Sequence, residues 1–128
     1  MPEPSREMKT NSSGFTLIEL LVVTVLIAIL TALAIPQLFG TKERTYLASM
    51  RSDLRNLETA QEAYYVDNLS YAGSIGALGV MFLMSPGVTV AVDSASQTGW
   101  GATATHSNSA KTCSVVVTRA HQGNPTCP

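Results

Sequence analysis

Apolar residues follow two helical patterns in the first half of the chain. Residues 20–35 are Leu, Val, Ile and Ala, interrupted only by Thr24 and Thr31, and no charged residue follows until Lys42. A stretch of about 20 apolar residues is long enough to cross the hydrocarbon core of a bilayer. Over 47–64, apolar residues instead recur at spacings of three and four, with charged residues largely on other faces. We therefore predict a long helix with a membrane-embedded half and an amphipathic half.

The ends of this helix and one interruption can also be predicted. The helix is expected to begin at or just after Phe15 and to finish near Asp67 and Asn68, which are poor helix formers soon followed by Ser and Gly. Pro36 lacks an amide proton, and its ring clashes with the preceding turn. Because a helical pattern resumes beyond it, Pro36 is expected to kink or loosen the helix rather than end it.

The apolar period changes to two after the turn at Pro86 and Gly87. Alternating or β-branched residues at 88–92, 102–105 and 114–118 predict three antiparallel strands. A sheet of this size is just enough to cover the amphipathic half of the helix. The predicted fold class is α+β, with a long N-terminal helix packed on a small antiparallel sheet that forms a head.

Residues 69–86, between the helix and the strands, are predicted to form a connecting loop. The cluster Met81-Phe82-Leu83-Met84 within it is too apolar for a free, solvated loop. We expect this cluster to pack onto the helix, and a contact with another subunit is the alternative.

Length and charge limit the functions that the chain can have. Its 128 residues hold one domain at most, and only about 90 remain outside a leader and a membrane-embedded stretch. With a net charge of −1, the chain is not basic enough overall to attract nucleic acid by bulk electrostatics. His106 has no Ser or Cys nucleophile that the sequence can place beside it. We predict neither enzymatic activity nor a cofactor.

Two cysteines, Cys113 and Cys127, lie near the end of the chain with a short polar segment between them. An even pair in a small exported domain suggests a disulfide, which would add about 3 kcal/mol of stability on the chain-entropy model. The same pair with His106 and His121 could be imagined as a metal site. Zinc ligands usually come in close pairs such as CxxC, so the sequence favours a disulfide and no metal.

A single carboxylate, Glu19, stands at the start of the apolar stretch. An ionised carboxylate in this position costs on the order of a few kcal/mol, so it should have a cationic partner or a function. Cutting the chain between Gly14 and Phe15 would supply a partner, because the new ammonium group would lie one helical turn from Glu19. The pair could form within a subunit or between neighbours, and the charge would then specify assembly.

The segment from Gly14 to Gln37 resembles the type III signal of the type IV pilin and pseudopilin superfamily. The residues that carry the resemblance are Gly14-Phe15-Thr16-Leu17-Ile18-Glu19 and Ala34-Ile35-Pro36-Gln37. A longer likeness continues over 52–57 and 60–68, and a weaker one returns over 99–106 and around the two cysteines.

This resemblance implies roles for particular residues. A prepilin peptidase would cut between Gly14 and Phe15 and methylate the new terminus at Phe15, and Glu19 would act in assembly. The bond between Cys113 and Cys127 would form the C-terminal disulfide loop that is common among pilins. The implied divisions are a cleaved leader at 1–14, a transmembrane or fibre-core helix half at 15–40 and an extracytoplasmic head at 41–128.

An ordinary Sec signal peptide or a plain signal anchor is the alternative interpretation of the N-terminal segment. A Sec signal has a shorter apolar core with a small-residue cleavage site after it. Here the glycine precedes the apolar run and Pro36 lies near its end. The combination of Gly14, Phe15 and Glu19 favours the pilin-type signal over both alternatives.

The function implied by the resemblance is that of a structural subunit of an extracellular type IV pilus filament, serving adhesion, twitching motility or DNA uptake. The implied partners are other copies of the chain, the prepilin peptidase, an assembly ATPase and an inner-membrane platform protein. DNA would be a partner only as the cargo of uptake. Before assembly the chain is expected to cross the cytoplasmic membrane once.

Two other functions within the superfamily stay open at the level of sequence. One is a type II secretion pseudopilin or a minor pilin, but the segment around Trp100 lacks the Asp-Pro that precedes Trp-Gly in the calcium-site segment of major pseudopilins. The other is a conductive filament, suggested by aromatic residues along the helix and just past its end. Aromatic residues make up only 6% of the chain. Helix packing explains each of them at least as well as conduction does.

Overall fold

The computed structural model describes Met1 and residues 13–128. The predicted leader therefore lies almost wholly outside the described residues. The described chain forms two compact units, Met1–Leu38 and Phe39–Pro128. In chain order its elements are helix α1 (Leu17–Asn68), helix α2 (Ile75–Leu78), a 3₁₀ turn (Gly79–Met81) and strands β1 (Val88–Ala95), β2 (Gly99–His106) and β3 (Thr112–Thr118).

The first unit contains the apolar part of α1. The two hydroxyl side chains of the apolar run bond to carbonyl groups of the same helix. Thr24 Oγ1 donates to Leu21 O at 2.9 Å, and Thr31 Oγ1 donates to Ile27 O at 3.0 Å. These polar groups are thus satisfied without water, as a hydrocarbon environment requires. The helix continues through Pro36, as expected, and the kink at that residue stays a prediction.

The second unit is built around a helix face and a sheet face. The helix contributes Met50, Leu54 and Leu57, each with no exposed surface. Strand β3 alternates strictly between exposed and buried side chains, and its buried residues join those of β1 and β2 in one core. The remaining large members of this core are Tyr71, Leu78, Phe82, Val88, Val90, Trp100, Val115 and Val117. The predicted α+β fold is confirmed.

Within the described residues the three strands form one antiparallel sheet in the order β1, β2, β3. Val90 pairs with Ala104, and Ala104 pairs with Cys113, so these residues share one face. All three strands are longer than the alternation predicted. Strand β2 begins at Gly99, where a Cβ would lie 2.5 Å from the carbonyl oxygen of Val117. Glycine is unfavourable in strands by propensity, but here it permits the close approach of β3.

Two buried polar side chains of α1 hold the segment that connects the helix to the sheet. The Gln61 side chain accepts a hydrogen bond from Ala72 N at 2.7 Å and donates one to Ala72 O at 2.9 Å. The Asp53 carboxylate accepts from Ser85 N and from Ser85 Oγ, both at 2.7 Å. Both side chains are at most 1% exposed. They therefore replace the backbone partners that an irregular segment lacks.

The prediction that the cluster Met81-Phe82-Leu83-Met84 packs onto the helix is confirmed for Phe82, and the exposure of the other three side chains leaves the alternative, a contact with another subunit, open. Phe82 is 4% exposed, whereas Leu83 is 79% exposed, and Met81 and Met84 are about half exposed. The 3₁₀ turn is followed by extended backbone at Phe82, the one residue of the four that is buried. The segment also contains the short helix α2, whose first turn is capped by Ser74 Oγ accepting from Ala77 N at 3.3 Å.

Replacing Asp53 with alanine is expected to lower the free energy of unfolding by about 2 kcal/mol, because the partly buried Ser85 N–H loses its acceptor. Thermal unfolding of the full chain in detergent, followed by the fluorescence of buried Trp100, measures this loss. Asp67→Ala is the matched control, since Asp67 is an exposed carboxylate on the same helix. An equal loss in both variants would contradict the role given to Asp53.

Candidate functional site: the N-terminal assembly segment

Gly14 and Phe15 precede α1 as exposed, non-helical residues, and the Phe15 side chain is 83% exposed. A Cβ added at Gly14 would meet no described atom within 4 Å, and Gly14 does not have a positive φ. Neither packing nor backbone strain in the described chain therefore requires glycine at this position. A requirement for a minimal side chain would come from a molecule that binds the Gly14–Phe15 bond.

Thr16 and Glu19 form a reciprocal cap at the start of α1. Thr16 N and Thr16 Oγ1 both donate to Glu19 Oε2 at 3.1 Å, and Glu19 N donates to Thr16 Oγ1 at 3.2 Å. This is the capping box of a Thr-x-x-Glu sequence, which satisfies backbone N–H groups that have no partner in the first turn. The motif is visible in the sequence, but the interpretation of Glu19 as a partner for the Phe15 ammonium overlooked it.

The cap fixes the position of the carboxylate before any cleavage. Glu19 lies in the first turn of α1, where the helix dipole favours negative charge. In the described chain the hydrogen bonds that Glu19 accepts come from Thr16 and not from Phe15. The pairing of Glu19 with a Phe15 ammonium stays a prediction. The cap places the carboxylate beside the residue that would follow the new terminus.

The apolar part of α1 presents its side chains outward on all sides. Among the described helices, α1 is long and apolar enough to cross a membrane, and none of its most apolar 18-residue window is buried. Leu30 and Leu33, for example, are 66% and 72% exposed. An apolar surface of this size in a folded protein is covered by lipid or by other protein.

The C-terminal segment is fastened to β3 by a disulfide and by backbone hydrogen bonds. Cys113 and Cys127 are bonded to each other, as the sequence indicated. Ser114 and Thr126 exchange two backbone hydrogen bonds, of 2.8 and 2.9 Å. At Gly123 a Cβ would collide with the carbonyl oxygen of Val116. The segment therefore covers the outer edge of the sheet, which protects that edge from pairing with other chains.

The His106 side chain is held by an aromatic contact and a hydrogen bond within the head. Its ring stacks on Tyr46 with 4.2 Å between ring centroids, and its Nδ1 accepts a hydrogen bond from Asn108 N at 3.1 Å. The acceptor role of Nδ1 ties this nitrogen to the turn after β2. His121 pairs through its backbone with Thr118 instead. The described residues contain no group of three or more His, Cys, Asp or Glu that could hold a metal ion.

Tyr65 near the end of α1 and Tyr71 just after it are engaged in packing. The rings of Tyr65 and Tyr71 lie 4.8 Å apart, and the Arg119 guanidinium lies 5.3 Å from the centroid of the Tyr65 ring. Tyr71 donates a hydrogen bond to Glu62 Oε1 at 3.0 Å. Burial raises the pKa of Tyr71 above its usual 10.0, and the bond to Glu62 raises it further. These contacts account for both rings without a role in conduction.

The family profile described as "Prokaryotic N-terminal methylation motif" matches residues 9–35. The type IV wide pilus major component PilA4 of Thermus thermophilus is 39% identical over 99 residues, which are 76% of each chain. The type II secretion system core protein G of Aeromonas hydrophila is 43% identical over 63 residues, 49% of this chain and 44% of that protein. The corresponding protein of Dickeya chrysanthemi is 35% identical over 74 residues, 58% and 48% respectively.

The match to PilA4 thus extends over three quarters of both chains, while the matches to the two secretion proteins span less than half of those proteins. The methylation motif covers the Gly14–Phe15 bond at which processing is predicted, the capping box and the apolar run of α1. The chain belongs to the type IV pilin and pseudopilin superfamily.

Proposed function

We propose that this chain is the structural subunit of an extracellular type IV pilus filament and has no catalytic role of its own. The observation that carries the proposal is the apolar part of α1, whose side chains are exposed on all sides behind a capped carboxylate. The pilin relative, which matches 76% of the chain, supports the same conclusion. The head would form the filament surface, held by its disulfide.

The exposed apolar surface gives a physical reason for assembly. In the membrane, lipid covers the side chains of residues 17–35, and in a filament the corresponding helix segments of other copies cover them. Glu19 would then meet the methylated Phe15 ammonium of its own or a neighbouring copy, because an unpaired carboxylate in an apolar fibre core is costly. An assembly ATPase and a platform protein at the cytoplasmic membrane would drive this transfer.

A pseudopilin of a type II secretion system is the second candidate. The matches to the core protein G of two bacteria favour it. Against it stand the shorter extent of those matches and the segment around Trp100, where Thr98-Gly99 replaces the Asp-Pro that precedes Trp-Gly in major pseudopilins. The location of the polymer distinguishes the two candidates, since a pseudopilin acts within the envelope.

Intact mass and N-terminal sequencing of protein sheared from the surface of native cells test the proposed function. A chain that begins at methylated Phe15 and is abundant in the sheared fraction is the expected result. The same processed chain found only in the membrane would favour the pseudopilin or a minor pilin. An uncut chain would return the plain membrane anchor to first place.

Processing should depend on the small size of residue 14. Gly14→Asp is expected to leave the full-length precursor in the membrane, because a carboxylate would enter the part of the peptidase site that holds glycine. Gly14→Ala is the matched control and should be processed more completely, since it adds only a Cβ, for which the described chain has room, and no charge. Intact mass separates precursor from product. A mature-sized product from Gly14→Asp would show that cleavage occurs elsewhere.

A further inference from the structure

Three exposed cations lie at one end of the second unit, the end at which its part of α1 begins. Lys42 and Arg44 lie on α1 close to Phe39, the first residue of this unit. Lys111 lies in the turn between β2 and β3, and this turn is bonded to the same part of α1. We call Lys42, Arg44 and Lys111 the basic patch.

Hydrogen bonds and a ring contact hold the turn after β2 against α1. Ser109 Oγ donates to Glu43 Oε1 at 2.8 Å and accepts from Lys111 N at 3.1 Å. Near this contact, the His106 ring stacks on Tyr46 with 4.2 Å between ring centroids. Ser109 and Glu43 are 66 positions apart in the chain, so only the tertiary fold brings Lys111 to this end of the unit.

The charges of the basic patch are not neutralised within the described residues. The side chains of its three cations have no hydrogen bond or ion pair there. Glu43, the carboxylate between the two helix cations, is half-buried and accepts from Ser109. No Asp or Glu lies three or four residues from Lys42 or Arg44, where a partner on the same helix would be. Even with Glu43 counted, the charges at this end do not cancel.

The apolar run that precedes the patch in the chain determines what the patch faces before assembly. Residues 20–41 carry no charge, and they are about as many as a membrane-spanning helix needs. Lys42 and Arg44 are the first charged residues after that run, and Phe39, one turn before Lys42, is 69% exposed. Lys and Arg at the end of a span extend their charged groups to the level of the lipid headgroups.

We propose that the basic patch binds anionic headgroups of the membrane leaflet that faces the head, and thereby holds the unassembled subunit against the membrane surface. The inference rests on the proposed function, which places the unassembled subunit in the membrane. Arg44 can donate two parallel hydrogen bonds to phosphate oxygens, and Lys42 and Lys111 add point charges. Headgroups with a net negative charge are favoured over zwitterionic ones, whose ammonium group meets the same positive patch.

Nucleic acid offers the same phosphate chemistry, but the position of the patch at the end of the apolar run favours lipid. Native mass spectrometry of the full chain tests this, with the chain released from detergent micelles that contain equal amounts of phosphatidylglycerol and phosphatidylcholine. The wild-type chain is expected to retain more than about tenfold more phosphatidylglycerol. The triple variant Lys42→Gln, Arg44→Gln and Lys111→Gln should retain the two lipids equally, because glutamine removes the charge.

Lys111→Gln by itself tests the part of the inference that depends on the fold. Lys111 directly precedes β3 and Arg119 directly follows it, so about 25 Å of strand separates these two exposed cations. Lys111→Gln should lower the preference for phosphatidylglycerol about threefold, and the matched control Arg119→Gln should leave it unchanged. Both variants should keep the disulfide and the wild-type unfolding midpoint measured without added lipid, which excludes damage to the fold.

The results can overturn this inference without overturning the proposed function. Equal retention of the two lipids by the wild-type chain, or an unchanged preference in the triple variant, would show that the patch does not select anionic lipid. Displacement of phosphatidylglycerol by equimolar inorganic phosphate or by a short DNA duplex would also overturn it, since the site would then recognise phosphate in general or nucleic acid. Absence of any surface polymer of the wild-type chain would overturn the proposed function, and the sheared fraction, not the lipid count, reports it.

Discussion

Replacing Glu19 with valine is expected to leave the chain inserted in the membrane and to reduce sheared filament protein by more than about tenfold. Valine suits the hydrocarbon core, so insertion should not suffer. Both the carboxylate of the capping box and the proposed partner of the Phe15 ammonium are lost. Quantitative blotting of sheared and membrane fractions measures the result.

Two further variants separate the charge of Glu19 from its capping role. Glu19→Gln keeps an oxygen that can accept from Thr16 but removes the charge, so it should fail to assemble nearly as completely as Glu19→Val. Thr16→Val removes the hydroxyl of the cap and leaves the charge, so its defect should be milder. Normal filaments from Glu19→Gln would show that the cap, and not the charge, is what assembly requires.

Removing the disulfide is expected to lower the free energy of unfolding of the head by about 3 kcal/mol. Cys113 and Cys127 are 14 residues apart, and a closed loop of this size restricts the unfolded chain by that amount on the entropy model. The double variant Cys113→Ala with Cys127→Ala keeps the buried site of Cys113 apolar. Unfolding of the full chain in detergent, followed by Trp100 fluorescence, gives the change in midpoint.

Reduction of the wild-type protein provides an independent control for this variant. A reductant should lower the midpoint of the wild-type chain to nearly that of the double variant and should leave the double variant unchanged. The two backbone hydrogen bonds between Ser114 and Thr126 remain possible in both cases, so the C-terminal segment keeps part of its attachment. Equal midpoints for oxidised wild type and double variant would contradict a stabilising role of the bond.

Much of the fold follows from local patterns. The apolar run predicted the first half of α1, and the spacing of Met50, Leu54 and Leu57 predicted its buried face. The alternation of β-branched residues predicted the three strands, although their ends extend further than the alternation. The predicted start of β2 was less accurate. Glycine has a low propensity for strands, and Gly99 belongs to β2 because the backbone of β3 lies too close for a side chain.

The candidate site was predicted in its residues but not in its geometry. Gly14, Phe15 and Glu19 are recognisable as a motif, and the family profile covers them. The reciprocal bonding of Thr16 with Glu19 was present as a Thr-x-x-Glu signal and was missed, because the carboxylate was considered only as a buried charge. A motif names the residues, whereas hydrogen-bond partners depend on the rotamers that the first helical turn allows.

The sequence by itself determined the membrane-length helix and the three strands that follow it, because helical and strand periodicities repeat between near neighbours in the chain. Only the tertiary structure decided that Asp53 is buried against Ser85, 32 residues away, and that Phe82 is the buried residue of its cluster. It also placed Arg51 and Arg55 beside the C-terminal loop. These contacts join residues distant in sequence, and no local period encodes which of them meet when the core closes.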